Sequence, residues 1–298
     1  MSTALPPRTS PWLVVAAAAT TVVLWAAAFI GIRFAGPHYS AGGLSFLRML
    51  VGTGALAVIA WRRGLTLPPR RIVPGLIAWG VGWFCLYNLA LNTAEHTIDA
   101  GTAAMLVNLA PLLVVLFSGL FGGEGFPRGL LIGAPISFAG VVLIATQSGG
   151  QHATLIGVLL GIASAVLYAS CTLIQKRFLR SIGGTSLTFW GALAGTIALL
   201  PWAPDAARTA AHAPASAMVA VVLLGLLSTG IAFTTWAFVL ARVSAGQTSS
   251  TTYAVPAVAI VLSWLLLGEA PTPMMLVGGV LCLLGVALTR LIKDRRAA

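Results

Sequence analysis

Arg48 stands inside an apolar run, in Ser45-Phe46-Leu47-Arg48, where a charge is expensive and is a functional candidate by default. Two roles fit it: partner to a substrate carboxylate, or structural cation bonded to backbone carbonyls or a neighbouring helix. Arg33, at the end of its run, reads as a snorkelling side chain. Trp79, Trp83 and Tyr87 recur every four residues, with Asn88 and Asn92 beside them. An interfacial aromatic belt explains Trp79 equally well, but no belt is expected at Trp83 and Tyr87 in mid-run. Met105 and Asn108 lie about one turn apart just before Pro111, and an entirely polar stretch, Gln247 to Thr252 and Tyr253, precedes Pro256. Trp25 beside Thr21, Tyr168, and Trp236 after Ser228, Thr229, Thr234 and Thr235 complete the set. Core packing accounts for any one of these as well as solute contact does. Together they offer stacking surfaces and hydrogen bonds, which suit a small neutral, zwitterionic or aromatic solute.

They do not suit catalysis. All four histidines (His38, His96, His152, His212) and all six carboxylates (Glu95, Asp99, Glu124, Asp205, Glu269, Asp294) fall at the ends of apolar runs or between them. No nucleophile has a base beside it, and no Walker-type glycine loop is present. Cys85, Cys171 and Cys282 lie singly in separate runs, without disulfide or metal-ligand spacing. The expectation is therefore a non-enzyme with no cofactor and no metal. Organic-cation exchange by the proton route calls for a mid-membrane carboxylate, and phosphorylated sugars call for a basic cluster; neither is offered.

The elements that must hold these residues follow from composition. Of 298 residues, 58% are hydrophobic and 8% charged, against about 25% charged in soluble domains. Seventeen basic and six acidic residues cannot coat a 30.7 kDa globule whose mean hydropathy is +0.98. Disorder is excluded by the same figures. What remains is an all-α integral membrane protein. Apolar runs near 12–34, 41–61, 72–94, 100–121, 128–146, 154–175, 185–203, 215–240, 245–267 and 273–292 are each about the ~20 residues a spanning helix needs, giving ten transmembrane helices.

Net charge +11 would suggest nucleic acid in a soluble chain; here position decides. With both termini cytoplasmic, that side receives Arg8, Arg62, Arg63, Arg70, Arg71, Arg128, Lys176, Arg177, Arg180, Arg242, Arg290, Lys293, Arg295 and Arg296. Only Arg33 and Arg208 fall opposite. The split follows the positive-inside rule, so the partners are the bilayer and a small-molecule substrate, not nucleic acid. Arginine outnumbers lysine fifteen to two, a usage associated with GC-rich bacteria; the expected location is a bacterial inner membrane. One chain suffices to enclose a cavity, and a dimer is left open.

The chain also repeats itself. Residues 99–143 align without gaps on 244–288, an offset of 145 with 12 of 45 positions identical, among them Pro111/Pro256, Gly123/Gly268, Glu124/Glu269, Gly133/Gly278 and Gly140/Gly285. Asp99 and Ser244, both good N-cap residues, begin matching helices. A near-offset of 143 pairs Trp25 with Tyr168. Five helices per unit is an odd number, so residues 154–292 repeat 12–146 upside down. Inverted repeats give many transporters two access states around one midplane site, with Pro111 and Pro256 as candidate hinges. A membrane enzyme or a receptor is the rival class, and it would need a reactive set or a soluble domain that is not visible here.

Two five-helix halves, each with a mid-membrane proline helix followed by Gly-Glu and by a Gly-x6-Gly helix, together with Ser45-Phe46-Leu47-Arg48, resemble the EamA branch of the drug/metabolite transporter superfamily. The second half departs, carrying Thr188-Phe189-Trp190-Gly191 where an arginine would repeat. Within the superfamily the likeness is to YddG-type exporters of amino acids and related metabolites. The resemblance implies alternating access around a cavity built by helices 1, 3, 4, 6, 8 and 9, with helices 5 and 10 outside. It also implies export of neutral or aromatic amino acids, or of drugs and other metabolites, and it favours the structural role for Arg48.

Overall fold

The computed structural model describes residues 10–95, 98, 106–121, 125–147, 154–268 and 270–292. The regular elements among them are helices: α1 (Pro11–Ala35), α2 (Ala41–Arg62), α3 (Arg70–Ala94), α4 (Ala110–Phe121), α5 (Arg128–Thr146), α6 (Leu155–Phe178), α7 (Gly184–Ala198), α8 (Ala215–Leu240), α9 (Ala245–Leu266) and α10 (Pro273–Leu291). Seven of the segments are long and apolar enough to cross a membrane. An eighth arises if α7 is joined to Leu200–His212 across a 50° bend, while α4 and α10 are shorter apolar helices. The helix beyond that bend was expected as loop; its Asp205 and the salt bridge to Arg208 at 2.6 Å give it a polar face that apolar periodicity could not announce. The predicted N-cap Ser244 accepts the Gln247 amide at 3.2 Å, and Ser40, Thr154 and Thr272 cap α2, α6 and α10 in the same way. Asp99, Glu124 and Glu269 lie outside the described residues.

Small residues set the packing, as they do where lipid supplies no hydrophobic force between helices. α5 lies along α10, and a Cβ added at Gly133, Gly140, Gly278 or Gly285 would collide with the backbone of the facing helix. Gly133 meets Gly285, Gly140 meets Gly278, and Ser137 donates to the Cys282 carbonyl at 3.0 Å. Ser137 and Cys282 are 145 apart, and the same offset exchanges the Gly133–Gly285 contact with the Gly140–Gly278 contact. α3 and α7 cross where Gly80 touches Gly191, and α8 and α2 cross where Gly225 touches the Arg48 carbonyl. Adding 145 to Gly80 gives Gly225, and adding 143 to Arg48 gives Gly191, so these two crossings are counterparts as well. Thr53 and Thr196, 143 apart, share a hydrogen bond of 2.8 Å. Both α3 and α8 loosen into wide π-type turns, at Val81–Leu86 directly after Gly80 and at Leu224–Ile231 around Gly225.

Buried aromatic and aliphatic side chains of α2, α3, α6, α7 and α8 form the main core. The outer faces of α5 and α10 are apolar, with Leu131, Ile132, Leu276, Val277 and Val280 exposed, as side chains meeting lipid should be.

Candidate functional site

Between α1, α2, α3, α4, α6, α8 and α9 lies a cleft of about 830 Å³, its open mouth included. Its floor and walls come from the interrupted parts of the helices. The π-type turn of α3 presents Trp83, and the helix beyond it presents Tyr87, Asn88 and Leu91. Asn88 donates to the Phe84 carbonyl at 3.2 Å and weakly to that of Trp83 at 3.4 Å, so its amide satisfies carbonyls that the wide turn leaves without their ordinary partners. Val107 and Asn108 sit at the break before Pro111, and Thr252 on the short 3-10 turn before Pro256. A proline has no N–H, so the carbonyls of Val107 and Thr252, each four residues earlier, lose their helical donor. Val107 and Thr252 are 145 apart, and both line the cleft.

Aromatic rings make the inner wall. Trp25 packs on Phe233 at 5.5 Å and on Trp236 at 5.2 Å, and its indole donates to the Ser228 carbonyl at 3.3 Å. Trp83 lies 5.5 Å from Tyr168, and Tyr87 lies 6.2 Å from Tyr168. Locked in this way, the rings offer large stacking area with little rotamer freedom left to lose. Among the described residues, Arg48 is the one ionisable cation on the wall, and no carboxylate lines it. Half-buried, its Nε donates to Thr229 Oγ1 at 3.2 Å, tying α2 to α8 while the side chain still borders the cleft. The two roles left open for Arg48 are thus compatible in one geometry.

Of the residues singled out from sequence, Trp25, Arg48, Trp83, Tyr87, Asn88, Asn108, Pro111, Tyr168 and Thr252 come together on this wall. Trp236 is placed one layer behind it, 1% exposed, with its indole donating to Gln175 Oε1 at 3.1 Å. Tyr253 turns the other way and is fully buried among Ala134, Val141, Ile144 and Cys282 of α5 and α10. Its neighbour Thr252 faces the cleft because successive residues of a tight turn point about 100–120° apart. Pro256 does not reach the wall, and Met105 lies outside the described residues. Sequence reasoning passed over Ala28, Phe29, Ile32, Leu91, Phe233 and Val255, which also line the cleft. Their apolar side chains carry no chemical mark, although Phe29 and Ile32 lie one and two helical turns beyond Trp25.

Comparison with known proteins gives three findings. The model of the EamA-like transporter family matches residues 12–146 and again 155–291. Over 269 residues the chain is 35% identical to a protein of Streptantibioticus cattleyicolor named "Probable terminal-alkyne amino-acid exporter", covering 90% of each chain. It is also 35% identical to the uncharacterized transporter YdfC of Bacillus subtilis, over 90% of this chain and 88% of that one. A crystal structure with 22% sequence identity superimposes with a TM-score of 0.80 over 96% of this chain and all of the other, a likeness of fold.

Proposed function

The chain belongs to the EamA-like transporter family, and from that premise we propose that it exports amino acids, chiefly neutral and aromatic ones, by alternating access. It is a multi-pass membrane transporter. Ten spanning helices arranged as two inverted five-helix repeats, 12–146 and 154–292, with both termini cytoplasmic, form the proposed scaffold. The reciprocal contacts between residues 143 or 145 apart support it, because a pseudo-two-fold axis pairs i with the counterpart of j and j with the counterpart of i. The basic ends of α2, α6 and α8 gather on one side, where Lys176 Nζ donates to the Leu240 carbonyl at 2.6 Å; this is the side assigned to the cytoplasm. The inner bacterial membrane is the proposed location, in keeping with relatives such as the inner membrane transporter YedA of Escherichia coli, 24% identical over 83% of this chain.

One observation carries the substrate class: an aromatic wall that, among the described residues, has one guanidinium, two carboxamides and no carboxylate. A zwitterion fits it. The carboxylate goes to Arg48 and the side chain stacks among Trp25, Trp83, Tyr87 and Phe233. The ammonium finds oxygen acceptors at Asn88, Asn108 and the proline-released carbonyls. The amino-acid exporter named among the relatives supports the same class. Counterflow into proteoliposomes preloaded with amino acids tests it: labelled phenylalanine or leucine should accumulate. A folded protein that exchanges none of them keeps the transporter and loses the substrate class, leaving drugs or other metabolites.

A further inference from the structure

The cleft is one-sided. Toward the end of α1 its wall is formed by Phe29, Ile32 and Leu91, and Phe29 is 38% exposed. The offsets that relate counterpart contacts carry these three positions to Thr172, Gln175 and Trp236. There the side chains are closed over, with Thr172 and Gln175 at 0% and Trp236 at 1% exposure. Trp25 and its counterpart Tyr168 stand at the centre and line the cleft together. One half of a symmetric set is open and the other half is shut.

The shut half has a second peculiarity. Thr172 Oγ1, Gln175 Nε2, Ser249 Oγ and Ser250 Oγ are buried without a hydrogen-bond partner in the protein. Such groups are rare in folded proteins and each carries the desolvation cost of an unmade bond. Four on facing parts of α6 and α9 describe a face suited to contact with water that is, in this state, packed dry. Its closure is polar as well: Trp236 donates to Gln175 Oε1 at 3.1 Å, and Lys176 clasps the Leu240 and Val243 carbonyls at the end of α8. The counterparts of Thr172, Gln175 and Trp236 on the open wall, Phe29, Ile32 and Leu91, are by contrast apolar.

We propose that the seam of Thr172, Gln175, Trp236, Ser249 and Ser250 is the closed cytoplasmic half of the solute path. Opening parts Gln175 from Trp236 and lifts α8 and α9 from α6. The seam's hydroxyls and carboxamide then take up water and the polar end of the solute, while Phe29, Ile32 and Leu91 close over the other end. The path thus has unlike mouths, hydrogen-bonding at the cytoplasm and apolar outside. This rests on the transport reading above, but not on which solute is carried.

Cys171 supplies a native reporter. It lies beside Thr172, is the counterpart of cleft-lining Ala28, and is 4% exposed in this state. The full chain in everted vesicles is treated with a membrane-impermeant maleimide, and peptide mass spectrometry assigns the label among Cys85, Cys171 and Cys282. Cys171 should label measurably faster than Cys282, which is packed between α5 and α10. Thr172→Val removes an orphaned hydroxyl at constant shape, so it should slow Cys171 labelling by roughly tenfold. It should also speed labelling of Phe29→Cys from the opposite face. Cys171 as slow as Cys282 during solute exchange, or Thr172→Val without effect on either rate, would overturn the proposal. Reciprocal labelling without amino-acid counterflow would leave the path standing and remove the amino-acid reading.

Discussion

Arg48 is where structural and substrate-binding roles can be separated by measurement. Arg48→Gln deletes the charge but keeps a side-chain N–H donor for Thr229 Oγ1, the 3.2 Å partner that links α2 to α8. Two unit charges 4 Å apart attract by about 4 kcal/mol at an effective dielectric constant of 20. That is an upper bound here, because Arg48 is half-buried and the cleft is open at its mouth. A hydrogen bond to a charged group is worth about 1.5–3 kcal/mol, so loss of a carboxylate partner should cost roughly 10- to 150-fold in apparent affinity. The assay is counterflow in proteoliposomes with phenylalanine and phenylalaninamide, which share an ammonium and a ring and differ in the carboxylate. The wild type should prefer the acid by about that factor, and Arg48→Gln should bring the ratio close to one. Arg48→Lys, which keeps a point charge without the fork, should fall between. Equal loss for acid and amide would refute the pairing and leave Arg48 as the cation that holds α2 against α8.

Tyr87→Ala and Tyr253→Ala should separate cleanly: the first weakens solute exchange in a folded protein. The second, fully buried against α5 and α10, lowers thermal stability by about the 3–5 kcal/mol of a large aromatic truncation. Gly133→Val puts a side chain into the α10 backbone and should cost about 1–3 kcal/mol or more by overpacking, seen as a lower melting temperature in detergent. Gly54→Ala, with nothing within 4 Å of the new methyl, should not lower it. The Ser40 hydroxyl, and then Arg208, hold the Asp205 carboxyl below its usual range. A depressed carboxylate stabilises the fold above the ordinary Asp value of about 3.9 and loses that contribution as pH falls through its own lower value. Amide protection factors across 200–212, with the intrinsic pH dependence of exchange divided out, should therefore be flat from neutral pH to about 5 and fall only in stronger acid, whereas Asp205→Asn should be less protected at neutral pH and lose the acid step. Replacing Pro111 and Pro256 together by Ala should slow counterflow severalfold if the two breaks are hinges, and undiminished exchange would remove that role.

The fold was legible in the sequence wherever lipid dictates pattern. Uncharged runs of the required length gave most of the described helices to within a few residues, the run 100–121 excepted, where α4 begins only at Ala110, and the Gly133/Gly278 and Gly140/Gly285 pairs, read from the sequence as marks of a repeat, line the tight α5–α10 crossing. What sequence could not give was direction. Thr252 and Tyr253 are neighbours with similar polarity, yet one faces the cleft and the other the α5–α10 core, because a three-residue 3-10 turn separates them by rotation alone. Hydropathy has no signal for that turn. The π-type loosening of α3 and α8 is equally silent; it lies at glycine crossings between helices distant in sequence. Phe29, Ile32 and Leu91 were missed for a further reason: on an apolar helix nothing distinguishes a side chain against lipid from one against solute.

The two halves are alike where helices touch and unlike where solute would pass, and that contrast bears on mechanism. Gly80 against Gly191 and Gly225 against the Arg48 carbonyl are counterpart crossings, yet one position is glycine in the second half and arginine in the first. Backbone contact at the crossing tolerates any side chain that points away from it, so the scaffold can stay symmetric while the wall diverges. A symmetric scaffold is what makes two access states similar in energy, since each packing can be exchanged for its mirror at little net cost. Divergent walls then bias the pair. On the proposed topology, an outer mouth walled by Phe29, Ile32 and Leu91 is easier to shut than a cytoplasmic seam that closes over four orphaned polar groups. It follows that the state with the outer mouth closed and the seam wet should be the more populated one in the absence of solute. In that resting state Cys171 should react faster than Phe29→Cys, and the reverse order would mean that lipid and the Lys176 clasp outweigh the orphaned hydroxyls.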